Sequence, residues 1–115
     1  MSEDQKPVYE VTEVTVNILE SMPPTLVVNA SGNTRTGGWT NAGLARRVYI
    51  DPPADGIQDY DFVATPPDGG STDAITEIKA APDSWHDPSA WVRGVRVHAE
   101  TNKLEKQAPI KTSAA

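Results

Sequence analysis

Three proline doublets, Pro23-Pro24, Pro52-Pro53 and Pro66-Pro67, hold six of the chain's ten prolines and cut it into short segments. A proline cannot donate to a β ladder, cannot continue a helix, and pushes the residue before it out of the helical region. No regular element can therefore run through any of the three. The segments between them are rich in β-branched residues and alternate apolar with polar positions, the pattern of half-buried strands. The doublets are punctuation, since they lack the spacing of a polyproline ligand.

Taken in order, Val8 to Glu20 reads as a strand with Val14, Val16 and Ile18 on one face. Tyr9 and Val11 have the opposite parity, so a bulge or a passage between sheets is expected near Thr12-Glu13. Thr25 to Ser31 reads as a strand with Leu26, Val28 and Ala30 inward. Ser31 to Gly43, with four glycines and Trp39 in its middle, reads as a loop.

Leu44 to Thr65 reads as a hairpin turning at PPADG. The expected register sets Ile50 opposite Gln58, Val48 opposite Tyr60, Arg46 opposite Phe62 and Leu44 opposite Ala64 on a mostly apolar face. Tyr49 with Asp59 and Arg47 with Asp61 fall on the other face, where the second pair is an ion pair. A one-residue slip would mix the faces.

PPDGGSTD at 66–73 reads as a loop, and Ala74 to Ala80 as a strand, one or two helical turns being the other possibility. PDSWHDPSAW is a proline-bounded loop. The last strand is expected from Trp91 to Ala99, with Trp91, Val95, Val97 and Ala99 inward, Val92, Arg96 and His98 outward, and Arg93 at the rim.

Six strands, seven if the first divides, with Gly/Pro turns and no convincing amphipathic helix, point to an all-β fold. The expected form is an antiparallel β-sandwich of immunoglobulin-like size, with a small β-barrel as the alternative. At 115 residues one core is expected. The expected organisation is a disordered N-terminus at 1–7, a single sandwich domain at 8–100 and a polar C-terminal tail at 101–115.

Ten basic against sixteen acidic side chains leave a net charge of −6, which disfavours a phosphate-tracking surface and with it nucleic acid. The absence of cysteine removes disulfides, thiolate metal sites and cysteine nucleophiles. No apolar run suits membrane insertion or a secretory leader, so the expected location is cytoplasmic if the N-terminus is native.

The strings ILESMPPTLVV, GGWTN, YIDPPADGIQDYDFVATPP and VRGVRVHAETN, within about residues 14 to 102, resemble a family of small bacterial β-sandwich proteins without an established activity. That family carries variants of ESFP, GW-S/T-N, PPADGI and a closing GVRVHAETN. Met22 stands where the aromatic residue is commoner. The resemblance implies the sandwich architecture and a bacterial source, and it transfers no functional residue.

The most chemical-looking cluster is Asp83, His86 and Asp87, with His98 and Glu100 on the last strand. Histidines with carboxylates can hold zinc or act as general bases. Two histidines with no cysteine and no short ligand repeat, and no triad spacing, favour a solvated loop, so neither a metal, a cofactor nor an enzymatic activity is expected. Asp51, Asp55, Asp59 and Asp61 lack the EF-hand order and read as turn and outward strand residues. Trp39, Thr40, Asn41 and Trp85 are the candidate ligand contacts, because a tryptophan in a glycine-rich or proline-bounded loop can anchor a protein partner or a sugar ring. For Trp39 the bland reading is a lid folded over the core.

The leading expectation is a non-catalytic binding module that contacts a protein partner through loops or a sheet edge. A carbohydrate-binding module, with a glycan at Trp39 or Trp85 beside Asn41 or Asp83, is the first alternative. An immunoglobulin-like protease inhibitor is the second.

Overall fold

The computed structural model describes residues 5–69 and 74–108, and within them the chain forms two packed β-sheets, which sets the closed barrel aside. No helix is long and apolar enough to cross a membrane among these residues. The smaller sheet is built on β2 (Glu10–Leu19) and β3 (Thr25–Thr34), an antiparallel pair interrupted between Val11 and Glu13. That bulge is the parity change legible in the sequence. It lets Val11 and Val14 both point into the core although they are three residues apart.

β3 alternates without a break, with Leu26, Val28, Ala30, Gly32 and Thr34 all buried. It therefore runs three residues into the stretch expected to be loop, and only residues 35–39 connect it to the next strand. Gly32 permits this because a Cβ there would lie 2.2 Å from the Glu10 carbonyl oxygen. Thr34 is tolerated inside because its hydroxyl donates to the Thr36 carbonyl at 2.7 Å.

On the far side of β3 lie β6 (Thr76–Lys79) and β7 (Asp83–His86), both antiparallel to it, β6 against Ser31–Thr34 and β7 against Thr25–Val28. They form one edge strand broken where Pro82 cannot donate. At the break, the Ala80 N–H bonds the Ala30 carbonyl and the Ala81 N–H reaches the Ala42 carbonyl of the other sheet, each at 3.0 Å. The expected strand at 74–80 is thus present in shortened form. The expected loop around Trp85 is instead β7.

The larger sheet centres on β5 (Ile57–Thr65), flanked on one side by β4 (Thr40–Arg46) and on the other by β8 (Gly94–His98) and the two-residue β1 (Lys6–Pro7). β9 (Lys103–Gln107) completes it, antiparallel to β8. β5 and β8 run parallel, so the sandwich is mixed and not wholly antiparallel. β9 occupies part of the stretch expected to be a polar tail, and Lys6–Pro7 part of the expected disordered start. Residues 1–4, 70–73 and 109–115 of the expected termini and loop lie outside the described residues.

Inward residues of both sheets make one core, with Tyr60 and Phe62 of β5 packed among Leu26, Val28, Val95 and Val97. Val92, expected outward, is buried as well. The core's open flank between β2 and the β8–β9 turn is closed by Asn102. Its side-chain amide donates to the Val11 carbonyl at 2.8 Å and its side-chain oxygen accepts from the Val11 N–H at 2.9 Å, as a neighbouring strand would.

β4 and β5 do pair, but with Leu44 opposite Phe62, Ala45 opposite Asp61 and Arg46 opposite Tyr60. The observed register is two residues away from the expected one, which keeps every side chain on its expected face. β4 also ends at Arg46, four residues earlier than the expected strand. Val48 and Ile50, expected opposite Tyr60 and Gln58, are 96% and 101% exposed.

Candidate interaction groove at the sandwich edge

The departure of the chain from β5 after Arg47 is held by side chains. The Arg47 N–H still bonds the Asp59 carbonyl at 3.0 Å, but the Arg47 carbonyl accepts from the Gln58 side-chain amide at 2.8 Å. Gln58 is only 2% exposed, so its amide is spent on the main chain. Tyr49 turns the opposite way from its neighbours. Its hydroxyl donates to the Asp59 carboxylate at 2.5 Å and accepts from the Asp59 N–H at 2.8 Å. With Tyr49 tied to the outer face, alternation in an extended segment sends Val48 and Ile50 together to the other side, that of Arg46, where they stand exposed.

Asp59 is the centre of a network on the outer face of the larger sheet. Besides Tyr49 it contacts Arg96 at 3.0 Å and His98 at 2.7 Å. Burial works against its charged form, but the hydrogen bonds from His98, Tyr49 and Arg96 outweigh that and hold the carboxyl below its usual range. Arg96 also reaches Asp55 and Glu105, at 3.2 and 3.1 Å. Arg47 makes a two-pronged contact with Asp61, at 3.1 and 2.8 Å, the ion pair expected from the sequence although Asp61 lies diagonally across and not directly opposite.

Across from this segment lies β7. Asp83 and Trp85 stand opposite Val28 and Leu26, both buried, and so belong to the inward face of the smaller sheet. Arg46, opposite Tyr60, belongs to the inward face of the larger one. The three meet at the edge where the sheets face each other. The Arg46 guanidinium sits over the Trp85 ring, 4.8 Å from its centre, with its Nε 3.2 Å from Asp83 Oδ2. Among the described residues the Arg46 side chain makes no hydrogen bond, and its contacts are this ion pair and the Trp85 ring. There the Tyr60 hydroxyl and Asp83 Oδ2 are both buried without a hydrogen bond of good geometry, and burial, with the Asp83 charge nearby, raises the Tyr60 pKa.

The same residues, Arg46, Asp83 and Trp85, border a groove of about 580 Å³. Val48, Ile50 and Pro52 of the extended segment line it together with Trp85, Ser89 and Trp91. Gln58 lies at its floor, and Tyr49 meets Trp91 edge to face with ring centres 5.9 Å apart.

Of the residues singled out from the sequence, Trp85 lies in this groove, and Trp39, Thr40 and Asn41 lie elsewhere. Trp39 is half-buried against the core with its indole N–H donating to the Thr36 hydroxyl at 3.0 Å. Thr40 borders a separate cleft of about 570 Å³ with Pro66 and Pro67, and Asn41 sits at a bulge of β4 with φ of 55°. The histidines are apart: His86 contacts the Thr25 hydroxyl on the smaller sheet and His98 contacts Asp59 on the larger. Among the described residues no group of three or more His, Asp and Glu side chains is placed to hold a metal ion. Sequence reasoning passed over Val48 and Ile50 because their alternation is that of a core strand.

No protein-family model, no curated protein and no solved structure matches the chain.

Proposed function

We propose that this chain is a non-catalytic interaction module that binds a protein partner in the groove between the segment at 47–52 and β7. The observation that carries the reading is the full exposure of Val48 and Ile50 on one wall of a concave, aromatic-lined site. Two adjacent aliphatic side chains left wholly in water by a segment that is itself firmly tied have no role in the fold's own packing. Their burial by a partner would contribute about 1.5–3 kcal/mol each. A protein suits the groove better than a glycan, since a sugar ring stacks on an open aromatic face and Arg46 covers that face of Trp85.

A photo-crosslinking amino acid placed at Ile50, with Glu77 on β6 as the control position, tests this in cells of the source organism. The reading expects a discrete protein adduct from position 50 and none from 77. The same adducts from both positions, or none from 50, would count against it.

A further inference from the structure

We infer that the partner enters as an extended strand added to the open edge of β4, and that its inward face carries an acidic residue between two apolar ones. This deepens the reading above and depends on it.

The edge argument starts from hydrogen-bond parity. Arg47 spends its N–H and its carbonyl on β5 and on the Gln58 side chain. In an extended chain the groups of Leu44, Arg46 and Val48 therefore point to the opposite edge. The Ala42 carbonyl, of the same parity, is taken by the Ala81 N–H. From Leu44 onward no described residue pairs with that edge, because β4 has β5 as its ladder partner and β7 belongs to the other sheet. An unpaired edge is a template for a further strand.

Side-chain parity gives the pattern of the incoming strand. Its residues on the groove side alternate with residues facing water, so three of them would meet Leu44, Arg46 and Val48 in turn. Leu44 and Val48 want apolar neighbours. Arg46 is different: its nearest contact with Asp83 is Nε at 3.2 Å, its guanidinium makes no hydrogen bond among the described residues, and a strand laid beside it would take the guanidinium out of water. A carboxylate at that position supplies the missing hydrogen bonds. Charge favours the same choice. Arg47 is already taken up by its two-pronged pair with Asp61, so Arg46, whose contact with Asp83 is not a hydrogen bond, is the groove cation open to a further carboxylate on a chain whose net charge is −6. That overall charge also opposes a second copy as the occupant.

The probe is a short fluorescein-labelled threonine peptide with valine, glutamate and valine at alternate positions, a symmetrical pattern that serves either strand direction. Two controls replace the glutamate by lysine or the central threonines by proline. Anisotropy titration is expected to show saturable binding of the glutamate peptide, at least about tenfold weaker binding of the lysine peptide, and none of the proline peptide. Val48→Asp, an exposed substitution that leaves the core untouched, is expected to weaken the glutamate peptide by a similar factor. Amide shifts in the bound protein should concentrate in Leu44–Ile50. Absence of binding, equal binding of the lysine peptide, indifference to Val48→Asp, or shifts centred elsewhere would each overturn the strand mode. So would concentration-dependent self-association that blocks the probe, since the occupant would then be a second copy. A crosslinked partner at position 50 together with failure of the peptide would leave the protein-binding reading standing and remove this one.

Discussion

Arg46 reaches across the edge of the sandwich to Trp85, its guanidinium carbon 4.8 Å from the centre of the indole ring and its Nε 3.2 Å from Asp83. This contact ties the edge strand of one sheet to the edge strand of the other. The same three side chains, Arg46, Asp83 and Trp85, line the groove. Fold and proposed function therefore meet at one side chain, and its removal should be felt in both.

Arg46→Ala is expected to destabilise the protein by about 1–2 kcal/mol. The cation–π contact is worth about 0.5–1 kcal/mol at a partly exposed site, and Asp83 would lose its counter-ion beside the buried Tyr60 hydroxyl. The double variant Arg46→Met with Asp83→Asn should recover most of the loss, because neither charge is left alone. Urea midpoints of the three proteins decide the matter, and an unchanged midpoint for Arg46→Ala would contradict the latch.

Val48→Asp and Ile50→Asp should leave stability within about 0.5 kcal/mol of the parent, the range for surface substitutions. Both side chains are already in water, so no buried contact is lost. Thermal unfolding checks this. A large loss would mean that the segment at 47–52 packs more closely than its exposure indicates.

Asn102→Ala should cost about 1–3 kcal/mol, since it leaves the N–H and carbonyl of Val11 without partners at a bulge beside the core. Asn102→Asp keeps the acceptor and loses the donor, so it should fall between. Hydrogen exchange at Val11 gives a local readout: its amide should exchange faster in Asn102→Ala than in the parent, and equal rates would contradict the strand-like role.

Asp59 makes stability depend on acid. Its folded pKa is depressed, burial being outweighed by bonds from His98, Tyr49 and Arg96. The stability it contributes is therefore present above the unfolded carboxylate value of about 3.9 and is lost as pH falls toward the lower folded value. Asp59→Asn should be less stable than the parent near neutral pH, and the gap should narrow below about pH 4. A gap that stays constant across that range would show that the charge on Asp59 has no part in it.

Much of this fold could be read from periodicity, and the misreadings have physical reasons. The bulge in β2 was legible because Val11 and Val14 cannot share a face without one. The β4–β5 register was not, since a shift of two residues leaves every face unchanged and the pattern is blind to it. The Arg47–Asp61 and Tyr49–Asp59 contacts survive that shift because long side chains reach diagonal neighbours. β9 escaped notice because KLEKQ offers Leu104 as its single apolar residue, and β7 because Trp85 stands alone between prolines. The groove was hidden for a deeper reason. Val48 and Ile50 continue the alternation of Leu44 and Arg46, and nothing in a one-dimensional pattern tells whether the opposite sheet extends far enough to cover them.

The most direct test of the groove as the contact surface is the affinity of the protein crosslinked at position 50 for the parent chain and for the double variant Val48→Asp/Ile50→Asp. The account predicts a loss of about 30-fold or more, as expected for two buried anchors of a contact surface, with no change in melting temperature. Equal affinity for the two proteins would contradict it.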